Sequence, residues 1–290
     1  MDKIGAALFL LLALLAAPAW CVAPATVDSV QMPAWLDRGE APEQPLAPGM
    51  EVRDGDRLRT GSGARAYLKL ANGSMVKLGD NATLGFHSLS PKPQSSFKGT
   101  LDVLNGAFRF TTAALRRGGD LQLDIHVGTA TAGIRGTDLW GKSDAVRDVV
   151  CLIEGRIELE HAGQVQVMDQ PSSYFSAPRA APALPVALLD GAELQRWARE
   201  TEILPGDGAA RHRGKWKVLL GRADNETDAL ALYDLARHAG YAARVRPRAA
   251  AESGKWTYEI LLAAFADAKE AAVLARKAGI DLGLSATVLR

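Results

Sequence analysis

The sequence predicts a multidomain protein, an all-β sandwich or roll followed by a smaller α+β domain, and three observations carry the prediction. From Val27 to about Met168, short runs such as "ARAYLKL", "SMVKLG", "LQLDIHV" and "GRIELE" alternate apolar and polar residues between Gly, Asn and Asp. Such period-two runs, broken by turn residues every ten positions or so, are the pattern of a sandwich or roll. From Lys215 to Arg290 the pattern passes from strand to helix to strand and then repeats. Between the two, Gln170 to Gly214 is rich in Pro and Ala on both sides of one amphipathic stretch.

Composition fits this division. A chain of 290 residues, 48% hydrophobic and 23% charged, has the make-up of a folded protein long enough for two domains. Its 34 Lys+Arg and 33 Asp+Glu leave a net charge of +1, so no overall field gathers nucleic acid, which is set aside as a partner.

Residues 1–25 read as a signal peptide. Lys3 precedes an unbroken apolar run from Ile4 to Ala17, and Pro and small residues at Ala-x-Ala spacing follow. The run is shorter than a bilayer span and lacks a basic flank behind it, so a cleaved, periplasmic protein is expected and not an integral membrane one. Cleavage is expected after Ala19 or Ala25. Trp20 is bulky where a small residue would precede a lipidated Cys21. With cleavage after Ala25 only Cys151 remains, so no internal disulfide forms, and in "DVVCLIEG" that cysteine reads as a small buried hydrophobe.

Residues 26–169 form the expected β-rich domain. Asn72-Gly73 favours a tight hairpin between "AYLKL" and "MVKLG". Asp54 and Asp56 in "RDGDRL" are the nearest approach to a carboxylate pair, but Asp-Gly-Asp is a turn sequence without a full set of oxygen ligands for calcium. In "VGTATAGIRGTDLWGK", Val127 to Lys142, Gly133 and Gly136 allow a sharp bend with Ile134 pointing inward. Arg135 is expected to anchor loop carbonyls or a carboxylate of its own domain, and Thr137 to bond the backbone of the turn. The alternative makes Arg135, Gly136 and Thr137 a partner-binding loop.

Residues 170–214 read as a flexible linker with one docking helix in "DGAELQRWARETEIL". Asp190 caps it, and Leu194, Trp197, Ala198 and Ile203 form one apolar side.

Residues 215–290 supply strands in "WKVLLG", "AARVRPR", "KWTYEILLAAF" and "LSATVL". Helices lie in "ETDALALYDLARHAG", ending at Gly240, and "ADAKEAAVLARKAG", closed by Gly279. Two βαβ units in so short a span predict a ferredoxin-like antiparallel sheet of four strands with both helices on one face. Val218, Leu220, Ile260 and Leu262 then face the helices. Lys217, Leu219, Thr257, Glu259 and Leu261 face outward, with Trp256 and Tyr258 near the strand start. Sugars are held by an aromatic ring and hydrogen-bonding side chains, which makes Lys217, Leu219, Arg222, Trp256, Thr257 and Glu259 candidate glycan ligands, with Arg244 beside them. The alternative is that Leu219 and Leu261 form a patch covered by another protein surface.

Catalytic and metal motifs are absent from the sequence. The histidines at 87, 126, 161, 212 and 238 lack metal-ligand spacing, and no nucleophile elbow, phosphate loop or zinc-protease motif occurs. No catalytic residue, cofactor or metal is assigned.

Two resemblances add to this. "GDRLRTGSGARAYLKLANGSMVKLGDNATL", Gly55 to Leu84, resembles the FecR domain, whose pattern opens with Gly-Asp, a Thr-Gly turn, an alternating strand and an Asp/Asn-Gly-Ser hairpin. "TATAGIRGTDLWGK" followed by "VVCLIEGRIELE" resembles that family's Arg-Gly-Thr signature and closing strands. The Lys215 to Arg290 segment, with its "W-x-V-x-x-G" start, is similar to SPOR domains, although it has Leu219 and Leu220 where a glutamine is common and Ala263 and Ala264 where a Gly-Pro is common. The resemblances imply a non-enzymatic envelope protein whose FecR-like domain binds an unknown envelope partner or relays a signal. They imply that its SPOR-like domain binds peptidoglycan glycan strands stripped of stem peptides. The FecR family also includes transmembrane regulators of sigma factors. No anti-sigma segment before the apolar run and no span after it is recognised here, so direct signalling across the membrane is not expected. The rival reading is an enzyme of cell-wall remodelling, or its cofactor, with the SPOR-like domain as a protein-interaction module.

Overall fold

A computed structural model describes residues 23–92, 96–113, 120–249 and 255–290. The expected signal peptide lies outside the described residues up to position 22. The chain begins as β1 (Ala25–Gln31), β2 (Ala34–Asp37), β3 (Gln44–Pro45), β4 (Glu51–Val52), β5 (Arg57–Thr60), β6 (Arg65–Leu70), β7 (Met75–Leu78) and β8 (Thr83–Lys92). It continues as β9 (Ser96–Thr111), β10 (Asp120–Val127), β11 (Ala130–Ile134), β12 (Asp138–Ser143), β13 (Arg147–Glu154), β14 (Ile157–His161), β15 (Gln164–Met168), β16 (Ser173–Pro178) and β17 (Leu184–Leu188).

These strands make two packed sheets. One runs β17-β16-β13-β12-β9-β7-β6-β1. The other runs β3-β2-β5-β8-β9-β10-β11-β14-β15, antiparallel throughout except between β9 and β10. Strand β9 belongs to both: its first half lies between β8 and β10, its second between β7 and β12. Gly106 marks the crossing, at φ +81° and with a Cβ position 2.6 Å from Ala82 Cβ, so a side chain there is excluded both by backbone conformation and by contact. The alternating runs deliver Leu58, Leu68, Phe86, Leu101, Phe108, Phe110, Ile125, Leu139, Val150 and Leu159 to the buried core. Each such burial is worth roughly 1.5–3 kcal/mol. The hairpin between β6 and β7 closes at Asn72-Gly73, where Gly73 N donates to Leu70 O and Ser74 N to Asn72 Oδ1.

Cys151 belongs to a second cluster, with Trp140, Val149 and Trp197, on the outer side of the first sheet. Burial pushes its thiol up to about 12, so it is inert as a nucleophile. "VVCL" is buried on both faces because a helix covers that outer side. This is α1 (Gly191–Glu200), capped by Asp190, whose Oδ1 accepts from Glu193 N at 2.8 Å. Trp197 stacks on Trp140 at 4.8 Å between ring centroids, and Tyr174 meets it edge-on at 5.5 Å.

Residues 170–214 are therefore not a flexible linker. Strands β16 and β17 extend the first sheet, α1 is docked, and the segment after it is fastened as well. Proline and alanine set its composition, but strand pairing, Trp197, and Glu200 and Glu202 set its attachment. Glu202 accepts from Tyr67 Oη at 2.9 Å, from Lys77 Nζ at 2.7 Å and from Arg109 Nη1 at 3.0 Å, while Ile203 N donates to Tyr67 Oη at 2.6 Å.

The rest comprises β18 (Ala210–Arg211), β19 (Trp216–Ala223), α2 (Glu226–His238), β20 (Ala243–Ala249), β21 (Trp256–Phe265), α3 (Ala268–Leu282) and β22 (Thr287–Leu289). Strands β22-β19-β21-β20 form an antiparallel sheet in that order. Val218, Leu220, Ile260 and Leu262 are buried in one cluster with Ala229 and Ala236 of α2 and Leu274 and Ala275 of α3. Helix α3 runs through Gly279, where an end was expected, and stops at Gly283, at φ +66°; Leu284 N returns to Gly279 O at 3.0 Å, so Gly279 takes part in the closing turn from inside the helix.

The two parts are joined by backbone. Ala210 of β18 pairs with Val30 of β1 and with Phe265 of β21, linking the first sheet to the C-terminal one. Ala34 N donates to Gly240 O at 3.1 Å, and Glu270, buried, accepts from the N–H groups of Gly206, Gly208 and Ala209 at 2.7, 2.6 and 3.1 Å.

The Glu202 anchor sets a pH dependence. Burial alone would raise its carboxyl, but hydrogen bonds from Lys77 and Tyr67 and the charges of Lys77 and Arg109 outweigh that and hold it below the ordinary value of 4.5. A carboxylate depressed in the folded state contributes stability that is present above 4.5 and lost as pH falls through the lowered value. Glu202→Gln should lower the thermal midpoint at neutral pH, and its gap to the wild type should narrow as pH drops below 4.5. A gap that stays constant into acid would refute this account of the anchor.

Candidate functional site

Two places gather the candidate residues: the Arg-Gly-Thr corner and the helix-free face of the C-terminal sheet. At the corner the chain leaves β11 in the second sheet and enters β12 in the first, and it returns from β13 to β14 through Gly155 and Arg156. The two corners touch. Gly155 has φ +99°, and a Cβ on it would lie 2.6 Å from Gly136 O and 3.0 Å from Thr137 Cγ2. Gly136 itself has φ +93° with open space around its Cβ position. Ile134 points inward and is buried.

The expected roles of the corner's polar residues are corrected. Thr137 is buried, and its backbone is held by Thr112: Thr137 N donates to Thr112 Oγ1 at 2.9 Å, and Thr112 N and Oγ1 both reach Thr137 O at 3.0 Å. The Thr137 hydroxyl has no partner among the described residues, so it does not bond the turn's backbone. Arg135 is exposed and, among the described residues, makes no hydrogen bond or ion pair, so it anchors neither carbonyl nor carboxylate. Thr112, from the end of β9, already fastens the corner. Arg135 and Arg156 instead border an open groove of about 580 Å³ lined also by Gln122, Asp124, Gly133 and Glu158. Gly133 lies between Asp124 and Glu158 in the sheet register, and its missing side chain leaves the floor of the groove open.

Asp54 and Asp56 are committed to structure. Asp56 is buried, pairs with Arg38 at 3.1 Å and accepts from Arg53 N at 2.8 Å; Asp54 accepts from Leu89 N at 3.1 Å. Among the described residues no group of three or more His, Cys, Asp or Glu side chains is arranged to hold a metal.

On the C-terminal sheet the candidate residues divide. Leu219 and Leu261, paired across β19 and β21, are only 6% and 5% exposed, so Leu219 offers no surface to a ligand. Glu259 is 7% exposed and already saturated: Arg222 Nη2 reaches it at 3.3 Å, Arg246 Nε at 2.9 Å with a second contact from Arg246 Nη2, and Arg248 Nε at 3.3 Å. Arg246 above all, then Arg248 and Arg222, hold its carboxyl below the usual range. Thr257 is half-buried and donates to Arg248 O at 3.4 Å, and Lys217 is half-buried. Arg222, Arg244 and Arg248 are exposed, and Trp256 is 56% exposed. Arg246 and Arg248 were missed in the sequence, although the alternation of arginines in "ARVRPR" places three of them on one face of a strand.

Residues 56–158 match the FecR protein family, so the chain contains a FecR domain spanning β5 to β14 and holding both corners. Two crystal structures of a proposed anti-sigma factor from Parabacteroides distasonis ATCC 8503 are similar to the chain at 11% identity and a TM-score of 0.41. One covers 64% of this chain and 75% of its own, the other 78% and 91%. No curated protein matches the sequence. Among the described residues no helix is long and apolar enough to cross a membrane.

The corner makes opposite predictions for its two kinds of residue. Arg135→Ala should leave the thermal midpoint within the roughly 0.5 kcal/mol range of surface changes. Gly155→Ala should lower it clearly, because strain at positive φ adds to the clash with Gly136 O. A destabilised Arg135→Ala would restore the anchoring role.

Proposed function

We propose that this is a non-enzymatic, periplasmic protein whose FecR domain binds an envelope protein and relays a signal through it. One observation carries the reading: Arg135, in the motif of the matched family, stands exposed and unpaired among the described residues at a corner the rest of the domain already holds shut. A motif arginine that the fold does not use is available to a partner's carboxylate or carbonyl groups. Export by a cleaved signal peptide is part of the proposal. Cleavage after Ala19 suits the fold better than cleavage after Ala25, since Pro24 O accepts from Ala71 N at 2.9 Å and Ala25 is buried in β1. The test is quantitative mass spectrometry of proteins crosslinked to the chain at native abundance, comparing wild type, Arg135→Glu and a control, Arg57→Glu, at another exposed arginine. A partner lost only from Arg135→Glu is expected; identical partner sets in all three would refute the reading.

A second reading concerns the C-terminal part, which we propose is a SPOR-like, ferredoxin-like domain that holds the protein on peptidoglycan glycan strands. It is favoured by Trp256, exposed at the start of β21. Because β18 ties this sheet to β1, the test uses the full chain. Co-sedimentation with amidase-treated sacculi, weaker with untreated sacculi and lost in Trp256→Ala, is expected. Failure to sediment with either preparation would remove the wall from the function and leave the partner reading standing.

A further inference from the structure

The four strands β19 to β22 carry five basic residues, Lys217, Arg222, Arg244, Arg246 and Arg248, and a single acidic one, Glu259. The register puts them together. Arg222, Glu259 and Arg246 are direct cross-strand partners, Arg248 lies opposite Thr257, Arg244 opposite Leu261, and Lys217 shares the parity of Leu219. All therefore lie on the face turned away from Val218, Leu262 and the helices.

One carboxylate cannot neutralise three guanidiniums. Glu259 draws Arg222, Arg246 and Arg248 into a fixed group while the side chains of Arg222 and Arg248 stay 58% and 56% exposed. Arg244 and Lys217 have no ion-pair partner among the described residues and add their charge to the same face. In a chain whose net charge is +1, this is a local excess of positive charge. Like charges brought together repel, and here their geometry is fixed in advance, with planar forks suited to bidentate carboxylate contacts.

From this charge complementarity we infer that the helix-free face is a docking surface for an acidic, extended protein segment. Arg244, Arg246 and Arg248 recur at every second position of β20, roughly 6.6 Å apart. An extended chain presents alternate side chains at the same spacing, so glutamates or aspartates at every second position meet the row in step. Strand β20 is the edge of its sheet, but Pro247 in its middle has no N–H to offer, which blunts addition of a further strand. Recognition therefore falls to the face rather than the edge. The inference stands apart from the partner proposed for the FecR corner and competes with the glycan reading for the C-terminal sheet.

The test uses the full chain and a labelled synthetic peptide with glutamate at every second position, followed by fluorescence anisotropy. Binding is expected to weaken several-fold as salt shortens the screening length from about 10 Å to about 3 Å. It should fall several-fold in Lys217→Glu and in Arg244→Glu, neither of which touches the Glu259 cluster, with far-ultraviolet circular dichroism unchanged. Arg57→Glu, on the other domain, should bind like the wild type. The inference is overturned if the glutamate peptide does not bind, if a glutamine version binds equally, or if either face variant binds like the wild type while folded. It is also overturned if inorganic polyphosphate or denuded glycan displaces the peptide at lower concentration than an unlabelled copy of it.

Discussion

The β region depends on one strand serving two sheets. The first half of β9 pairs with β8 and β10, the second with β7 and β12, and the change of sheet is made at Gly106 against Ala82. A strand so shared fixes the distance and angle between the two layers, because its ladders cannot slide independently. Every other crossing must accommodate that geometry. The chain changes sheet again between β11 and β12 and between β13 and β14, and those two corners pack on each other through Gly155 and Gly136. Even the clamp on Thr137 comes from Thr112, the first residue beyond β9. The Arg-Gly-Thr motif thus follows from the architecture in its glycines and its threonine backbone, while the arginine side chain is left over.

How far the sequence could be read depends on the range of the interactions involved. Alternation, the Asn72-Gly73 hairpin, the Asp190 cap and the order of elements after Lys215 are local properties, and local chemistry announces them. The attachment of residues 170–214 could not be read this way. Its anchors, Trp197 on Trp140 and Glu202 on Tyr67, Lys77 and Arg109, join positions far apart in the chain, and composition is blind to them. The same holds for the Thr137 hydroxyl, whose neighbour Thr112 no pattern within the turn could suggest. On the C-terminal sheet, parity correctly put Glu259 and Leu219 on the side away from the helices, but parity says nothing about what neighbouring side chains do there. Three arginines close over one carboxylate, and a residue assigned to a ligand becomes part of the scaffold.

Two glutamates show what separates a structural charge cluster from a binding one. Glu202 is met by Lys77 and Arg109, and Arg109 is met in turn by Asp138 through bonds of 2.9 and 2.7 Å. Two acids face two bases, the group lies partly buried between segments that must stay together, and nothing is left over for a ligand. Glu259 is met by three arginines with no second acid. As a device for stability alone this arrangement is poor, since each added guanidinium repels the others. Its excess charge is reduced when an anion arrives, because the repulsion that the face carries when free is relieved by the incoming carboxylates. Charge balance at Glu202 and charge excess at Glu259 thus assign the first to holding the chain together and the second to receiving another.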